Sequence, residues 1–330
     1  MTVCLFASLI EATATVHETS TLPQLISFAE TNNAALHAAR LRWEAAGQRV
    51  AEARGWPDPR LTYGYFAEPV ETRVGPQEHR IGVMQPLLWF GKLKAAGDVA
   101  SQEAAAALAN YEASRLTVVQ QVRLTWVELY LLNRSLRITR ENVDLLRQLE
   151  AVAQTQLRAG GSMSPVTKAQ VELGKLQDRL SSLEELRTPL ETRMTALLNL
   201  LQGTPLPPAT QLPTRSTALP DDETLFDWQQ QASPILEALE HAVEKEEHSI
   251  RLARKEGLPD FGAGVDYIVT GPARISGTPD SGKDAVIAML SVDIPLWRSR
   301  YGASVREARA RRDAALSALK RGASKAISYQ

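Results

Sequence analysis

The stretch Asp98–Ala159, DVASQEAAAALANYEASRLTVVQQVRLTWVELYLLNRSLRITRENVDLLRQLEAVAQTQLRA, runs for 62 residues without a proline or a glycine. Alanine, leucine, glutamate, glutamine and arginine fill it, so intrinsic propensity favours helix almost throughout. Apolar residues recur at Val119, Val122, Trp126, Leu129, Leu136, Val143, Leu146, Ala153 and Leu157, spaced by three, four or their sums, the signature of one buried helical face. At ~1.5 Å per residue a single helix of this length would reach about 90 Å, which is out of scale for a compact enzyme. The rest of the chain has to account for a rod.

The rod is entered through Gln85-Pro-Leu-Leu-Trp-Phe-Gly-Lys92 and left through Gly160-Gly161. Before it, Thr21 is placed to cap a helix opening at Leu22-Pro23 that pauses at Asn32-Asn33, resumes to about Arg54, and stops at Gly55-Trp56-Pro57-Asp58-Pro59. Arg60–Phe66 and His79–Gln85 alternate as two strands, separated by a polar loop from Glu68 to Gln77 that contains Pro69, Gly75 and Pro76. After the rod, Ser164 as cap and Pro165 open a returning helix to about Leu201, with Pro189 set to bend or split it. Gly203–Pro220 carries five prolines and reads as an extended linker.

The same plan then begins again. Leu225–Gln231 reads as a short helix, Ser233-Pro234 restarts it, and it runs to about Glu256. Gly257-Leu258-Pro259-Asp260 mirrors Gly55-Trp56-Pro57-Asp58 at an offset of 202. Strands follow at Phe261–Val269 and Ala285–Ile294, flanking a Gly/Pro/Ser loop from Gly271 to Gly282, and a new helix starts near Tyr301. The organisation is therefore an N-terminal segment over residues 1–20, a first repeat over 21–202, the linker over 203–221 and a second, incomplete repeat over 222–330. The fold class is mainly α with a minor β part: long antiparallel helices beside two strand pairs. The first and returning helices together match the rod in length, so the rod can lie antiparallel to two shorter helices stacked end to end. Four strands cannot close a membrane barrel, which needs about eight; three copies would supply twelve. Trp56, Trp89 and Trp297 sit where strand meets helix, the place of an interfacial aromatic belt.

Composition narrows the function. Charge is nearly balanced, with 37 basic and 38 acidic residues, so there is no electrostatic footprint for nucleic acid. One cysteine, Cys4, excludes an internal disulfide and a cysteine zinc site. No apolar run is long enough for a transmembrane helix, although that does not bear on strands. Val3–Ile10 followed by Ala12-Thr13-Ala14 reads either as a weak secretory signal or as a disordered tail. His241 and His248, with Glu237 and Glu244, have a spacing compatible with a divalent metal, but on an Ala/Glu/Lys-rich helix a solvated polar face is the better reading. The arginines at 306, 309, 311 and 312 are interleaved with Glu307 and Asp313 and read as a solvated face too. No nucleophile–base set, cofactor motif or phosphate cradle stands out, so no enzyme, cofactor or metal site is expected.

The residues match a known family. The helix ending in Trp56-Pro57-Asp58-Pro59-Arg60-Leu61, the segment Gln85-Pro86-Leu87-Leu88-Trp89-Phe90-Gly91-Lys92-Leu93, the turn Leu157-Arg158-Ala159-Gly160 with Ala169-Gln170-Val171-Glu172-Leu173, and Ile294-Pro295-Leu296-Trp297 together resemble the TolC-like outer-membrane efflux proteins over residues 21–330. The strand-exit motif is similar to that of the heavy-metal branch. The resemblance implies a homotrimer in the outer membrane of a Gram-negative bacterium, with a twelve-stranded transmembrane β-barrel set in outer-membrane lipid and a helical tunnel through the periplasm. It implies a passive export conduit for a tripartite efflux or type I secretion system, partnered by a periplasmic adaptor (membrane fusion) protein and an inner-membrane pump. The docking turn would be Arg158, Gly160, Gly161, Ser162 and Ser164, and the strand–helix junctions Pro57, Pro86, Trp89, Gly91, Pro259, Pro295 and Trp297. The chain departs from the family pattern at Leu157, where an aromatic is usual, and at Val166-Thr167, where an acid is usual. By comparison with the first repeat, a second rod after Arg298 is expected to need some 80 further residues, and Arg321–Gln330 reads as a frayed end. The competing readings are a periplasmic coiled-coil adaptor and a truncated chain without activity.

Overall fold

The computed structural model describes residues 20–212, 220–221, 223–224, 227–228 and 232–328. The expected signal segment at Val3–Ile10, part of the linker and most of the short helix at Leu225–Gln231 lie outside the described residues. The described elements are helices α1 (Leu22–Asn32), α2 (Ala34–Arg54), α3 (Lys92–Arg158), α4 (Ser164–Glu185), α5 (Arg187–Leu197), α6 (Pro234–Glu256) and α7 (Arg298–Ser328) and two antiparallel strand pairs, β1 (Arg60–Thr72) with β2 (Gly75–Leu87) and β3 (Asp260–Thr270) with β4 (Ala285–Asp293). No helix of the described residues is long and apolar enough to cross a membrane.

The chain forms two compact units. One comprises the chain up to Arg40 with Tyr111–Asp221. Its core joins Leu22, Leu25 and Ala29 of α1 to Val118, Val122, Trp126 and Leu129 of α3 and to Met194 and Leu198 at the end of α5. Within this unit α3 runs antiparallel to α4 and α5, because Glu150, Arg140, Asn133 and Glu128 pair in turn with Gln170, Glu184, Arg187 and Arg193. Asn33 explains the pause between α1 and α2. Its Oδ1 accepts the Leu36 N–H at 3.0 Å while its Nδ2 donates to Leu197 O at 2.8 Å, so one side chain caps a new helix and satisfies the end of another.

The other unit contains Leu41–Asn110 and the chain beyond Asp221. Here α2 runs antiparallel to the start of α3, with Arg49 bonded to Glu103 at 2.9 Å and the Arg54 side chain lying against Gly97. Helices α6 and α7 are also antiparallel: Gly322 faces Leu236 and Leu239 at one end, and Tyr301 faces Gly257 at the other. The sheet has the order β1-β2-β3-β4, so the two hairpins join through β2 and β3, leaving the outer edges of β1 and β4 open among the described residues.

Several elements differ from expectation. The rod starts at Lys92 and accommodates Gly97. The polar loop over Glu68–Gln77 is a tight hairpin instead. The strands extend to Thr72 and from Gly75, with a register shift between Tyr65 and Val70 around Pro69, which has no N–H to give the ladder. Gly75 is required at the hairpin: its φ is +135° and a Cβ there would overlap Gly271 O. Pro189 splits the returning helix at Leu186, three residues earlier, because its ring conflicts with the carbonyl four positions back. That helix ends at Leu197 rather than Leu201, since Asn199 takes φ +53° and Leu200 N–H turns back to Thr195 O. Ser164 is the first helical residue of α4, not its cap; Met163 precedes it, and the Ser164 N–H bonds Ser162 Oγ at 3.2 Å. The segment from Arg321 continues α7 to Ser328 instead of fraying.

Candidate functional site

The four strands build a surface with two chemically distinct faces. On one face the register aligns Tyr63, Ile81, Tyr267 and Val286 in one row, Leu61, Val83, Val265 and Ala288 in the next, and then Gln85, Ala263 and Leu290, ending at Leu87, Phe261 and Val292. These side chains face outward: Leu61, Tyr63, Val265, Val286 and Leu290 are all at least half exposed. Such a continuous apolar surface is far beyond what a soluble domain normally leaves open. Its hairpin end carries polar-tipped rings. Tyr63 Oη meets His79 Nδ1 at 3.0 Å, Tyr65 packs on the same imidazole, and Tyr267 donates to Asp284. That bond, with the Thr270 N–H, holds the Asp284 carboxyl below its usual range.

The opposite face mixes small and polar residues, Gly82, Gly262, Gly264, Asp266, Ser291 and Asp293, with Met84, Ile287 and Met289. Asp266 is buried there and pairs with Arg80 of the neighbouring strand. Gly82 is opposite Asp266, and a Cβ at Gly82 would overlap the carboxylate. Alternation along each strand produces the two faces, and glycine leaves the room for the ion pair.

The strand–helix junction residues fall into three sets. Gln85 Nε2 donates to Pro57 O at 2.8 Å and to Pro86 O at 3.0 Å, and Gly91, at φ +78°, turns the chain into α3. Trp89 stacks on Phe261 with centroids 5.7 Å apart, and its backbone N–H donates to Asp260 Oδ1 at 2.7 Å. Pro259 directly precedes Asp260 in the chain. Pro295 and Trp297 lie on the route into α7, with Trp297 and Trp56 largely exposed. At the centre is a residue to which the sequence assigned no role. Lys92 is buried, and its Nζ donates to both Asp260 oxygens at 2.8 Å and to Leu258 O at 3.1 Å. The one hint was the repeated Pro-Asp after each first helix, but the lysine's partner lies 168 residues away.

The turn between α3 and α4 is a single exposed structure. Arg158 closes α3, Gly160 takes φ +94°, and Gly160 and Gly161 N–H groups return to Leu157 O and Gln156 O, the Schellman arrangement. Ser162 and Ser164 follow, both exposed. Sequence reasoning also missed a second seam on α3. Leu124, Leu131, Ile138, Leu145 and Val152 repeat every seven residues and are all exposed, beside the buried seam Val122, Leu129, Leu136 and Val143. His241 bonds Gln102 at 2.8 Å and His248 lies 3.7 Å from Asp98, while Arg311 and Arg312 pair with Glu307 and Asp313.

The sequence profile described as "Outer membrane efflux protein" matches residues 25–200. No curated protein matches the chain. Solved structures share the fold at low identity. A structure of CusC, described in terms of folding and transmembrane channel formation, superimposes with a TM-score of 0.73 at 18% identity, over 92% of this chain and 72% of its own. The outer membrane protein VceC from Vibrio cholerae gives 0.72 at 18% over 93% and 76%. The open state of the Neisseria gonorrhoeae MtrE outer membrane channel gives 0.69 at 18% over 93% and 71%.

Proposed function

Because this chain belongs to the outer membrane efflux protein family, we propose that it is one subunit of a passive export duct spanning the outer membrane and reaching into the periplasm. The two-faced sheet carries this reading. Eight residues separate His79 from Leu87, about 26 Å of strand, and at a tilt of about 40° this becomes about 20 Å of height, close to the ~25 Å apolar band of outer-membrane barrels. The apolar face then meets lipid and the Arg80–Asp266 face lines the interior, with Tyr63, Tyr65 and Tyr267 at one boundary and Trp89 and Trp297 at the other.

The open edges of β1 and β4 pair with further copies, since bare backbone groups are not tolerated in hydrocarbon; three copies give a twelve-stranded barrel. The exposed seam of α3 supports the same assembly, because an unpartnered heptad stripe fits another helix. The turn from Arg158 to Ser164 docks the periplasmic adaptor, and the inner-membrane pump supplies the driving force. Fractionation of a Gram-negative host tests the reading. The chain should sediment with outer membranes and run as a heat-modifiable trimer in mild detergent. Recovery as a soluble periplasmic monomer overturns it.

A further inference from the structure

In the first unit, the segment that follows α5 is fastened across α3. Ala209 is buried in the core, and Trp126 Nε1 donates to Gln211 O at 2.9 Å. Between this strap and the helices lies a cleft of about 470 Å3, within the range of small-ligand sites. One wall is apolar and is formed by Leu129, Leu206 and the Pro207-Pro208 pair. The other presents three guanidinium groups, Arg134, Arg137 and Arg187, against the single carboxylate of Glu191.

The three arginines are not equivalent. Arg187 is oriented from two sides, donating to Asn133 Oδ1 at 3.0 Å and to Glu191 Oε1 at 3.4 Å. Arg137 lies 3.9 Å from Glu141, a loose pair. Arg134 makes no hydrogen bond or ion pair among the described residues. The cleft therefore holds a guanidinium with two partners, a weakly engaged one and an uncommitted one, all three exposed, beside an apolar wall. Guanidinium recognises planar oxyanions through paired donors, and proline surfaces pack against flat apolar bodies without losing side-chain entropy.

The geometry points to a binding site for a small organic oxyanion, a carboxylate or phosphate carried on an aromatic or aliphatic body. Its anionic group sits between Arg134 and Arg187, and its apolar body lies against Leu206 and Pro207. The site is independent of the channel reading, since it lies within one unit of one chain. A chain recovered as a soluble monomer that still bound the ligand would overturn the duct and leave the site standing.

Calorimetric titration of the purified full-length protein, reconstituted in nanodiscs, tests it with three probes of one shape: 1-naphthoate, 1-naphthyl phosphate and neutral 1-naphthamide. Either anion should bind about tenfold more tightly than the amide, and the tighter of the two identifies the oxyanion class. R134A should weaken anion binding on the order of tenfold with no effect on the amide. R134A breaks no bond of the folded chain, so it separates recognition from folding; R187A should act likewise and R187K only partly. R309A, an exposed arginine on α7, should leave all three unchanged. Equal binding of anion and amide, or anion affinity unaffected by R134A, overturns the proposal.

Discussion

Replacing Asp260 by alanine should destabilise the protein more than replacing Lys92 by methionine, although both substitutions remove the same ion pair. The Lys92 side chain is 9% exposed and that of Asp260 is 25% exposed. Without Asp260, the buried ammonium keeps only Leu258 O as a partner. An uncompensated buried charge of this kind costs about 3–5 kcal/mol, and the lower end applies because the site borders solvent. Without the ammonium, Asp260 keeps the Trp89 N–H and its access to water, while methionine fills the aliphatic channel, so the loss is about 1–2 kcal/mol. In the Lys92→Met background, removing Asp260 should then cost only about 1 kcal/mol. Urea unfolding in detergent, followed by tryptophan fluorescence, reads all three values, with Trp89 itself stacked at the junction. Equal costs for the two single substitutions, or a larger cost for Lys92→Met, would refute the argument that burial asymmetry governs this pair.

Three further outcomes test other parts of the molecule. Val265→Arg on the apolar face should cost about 2–4 kcal/mol in lipid and lower the yield of assembled protein, whereas Ser291→Arg on the opposite face should assemble normally; heat-modifiability on gels distinguishes them. Gly82→Ala should displace the Asp266 carboxylate from Arg80 and cost about 2 kcal/mol, measured as an earlier midpoint of thermal dissociation. Asn33→Ala strands the Leu36 N–H and the Leu197 carbonyl together and should cost about 2 kcal/mol, visible as faster amide exchange at the start of α2 and the end of α5.

Much of this architecture is legible in the sequence because it is local. The rod, its glycine exit, the proline stops and the alternation of Phe261–Val269 depend on residues a few positions apart. The hairpin at Thr72–Gly75 was hidden because Pro69, Gly75 and Pro76 are loop residues by propensity, and the break in register between Tyr65 and Val70 is what makes Pro69 tolerable. The Lys92–Asp260 contact depends on tertiary placement and has no sequence period to reveal it. The exposed seam on α3 was overlooked for a different reason. A helix of this length carries two apolar stripes, and periodicity alone does not say which is covered. The oxyanion cleft depends on where the strap after α5 crosses α3, and no motif encodes that crossing.

The open edges of β1 and β4 also have a genetic consequence. For a ring of three copies, each chain supplies one half of two seams, so a faulty edge spoils the neighbours as well as itself. A strand-disrupting substitution such as a proline in the middle of β4 should therefore behave as a dominant trait. When it is expressed beside the intact chain, the fraction of sound rings falls as the cube of the intact fraction rather than in proportion to it. Selection on these edges acts on the company a chain keeps as much as on the chain.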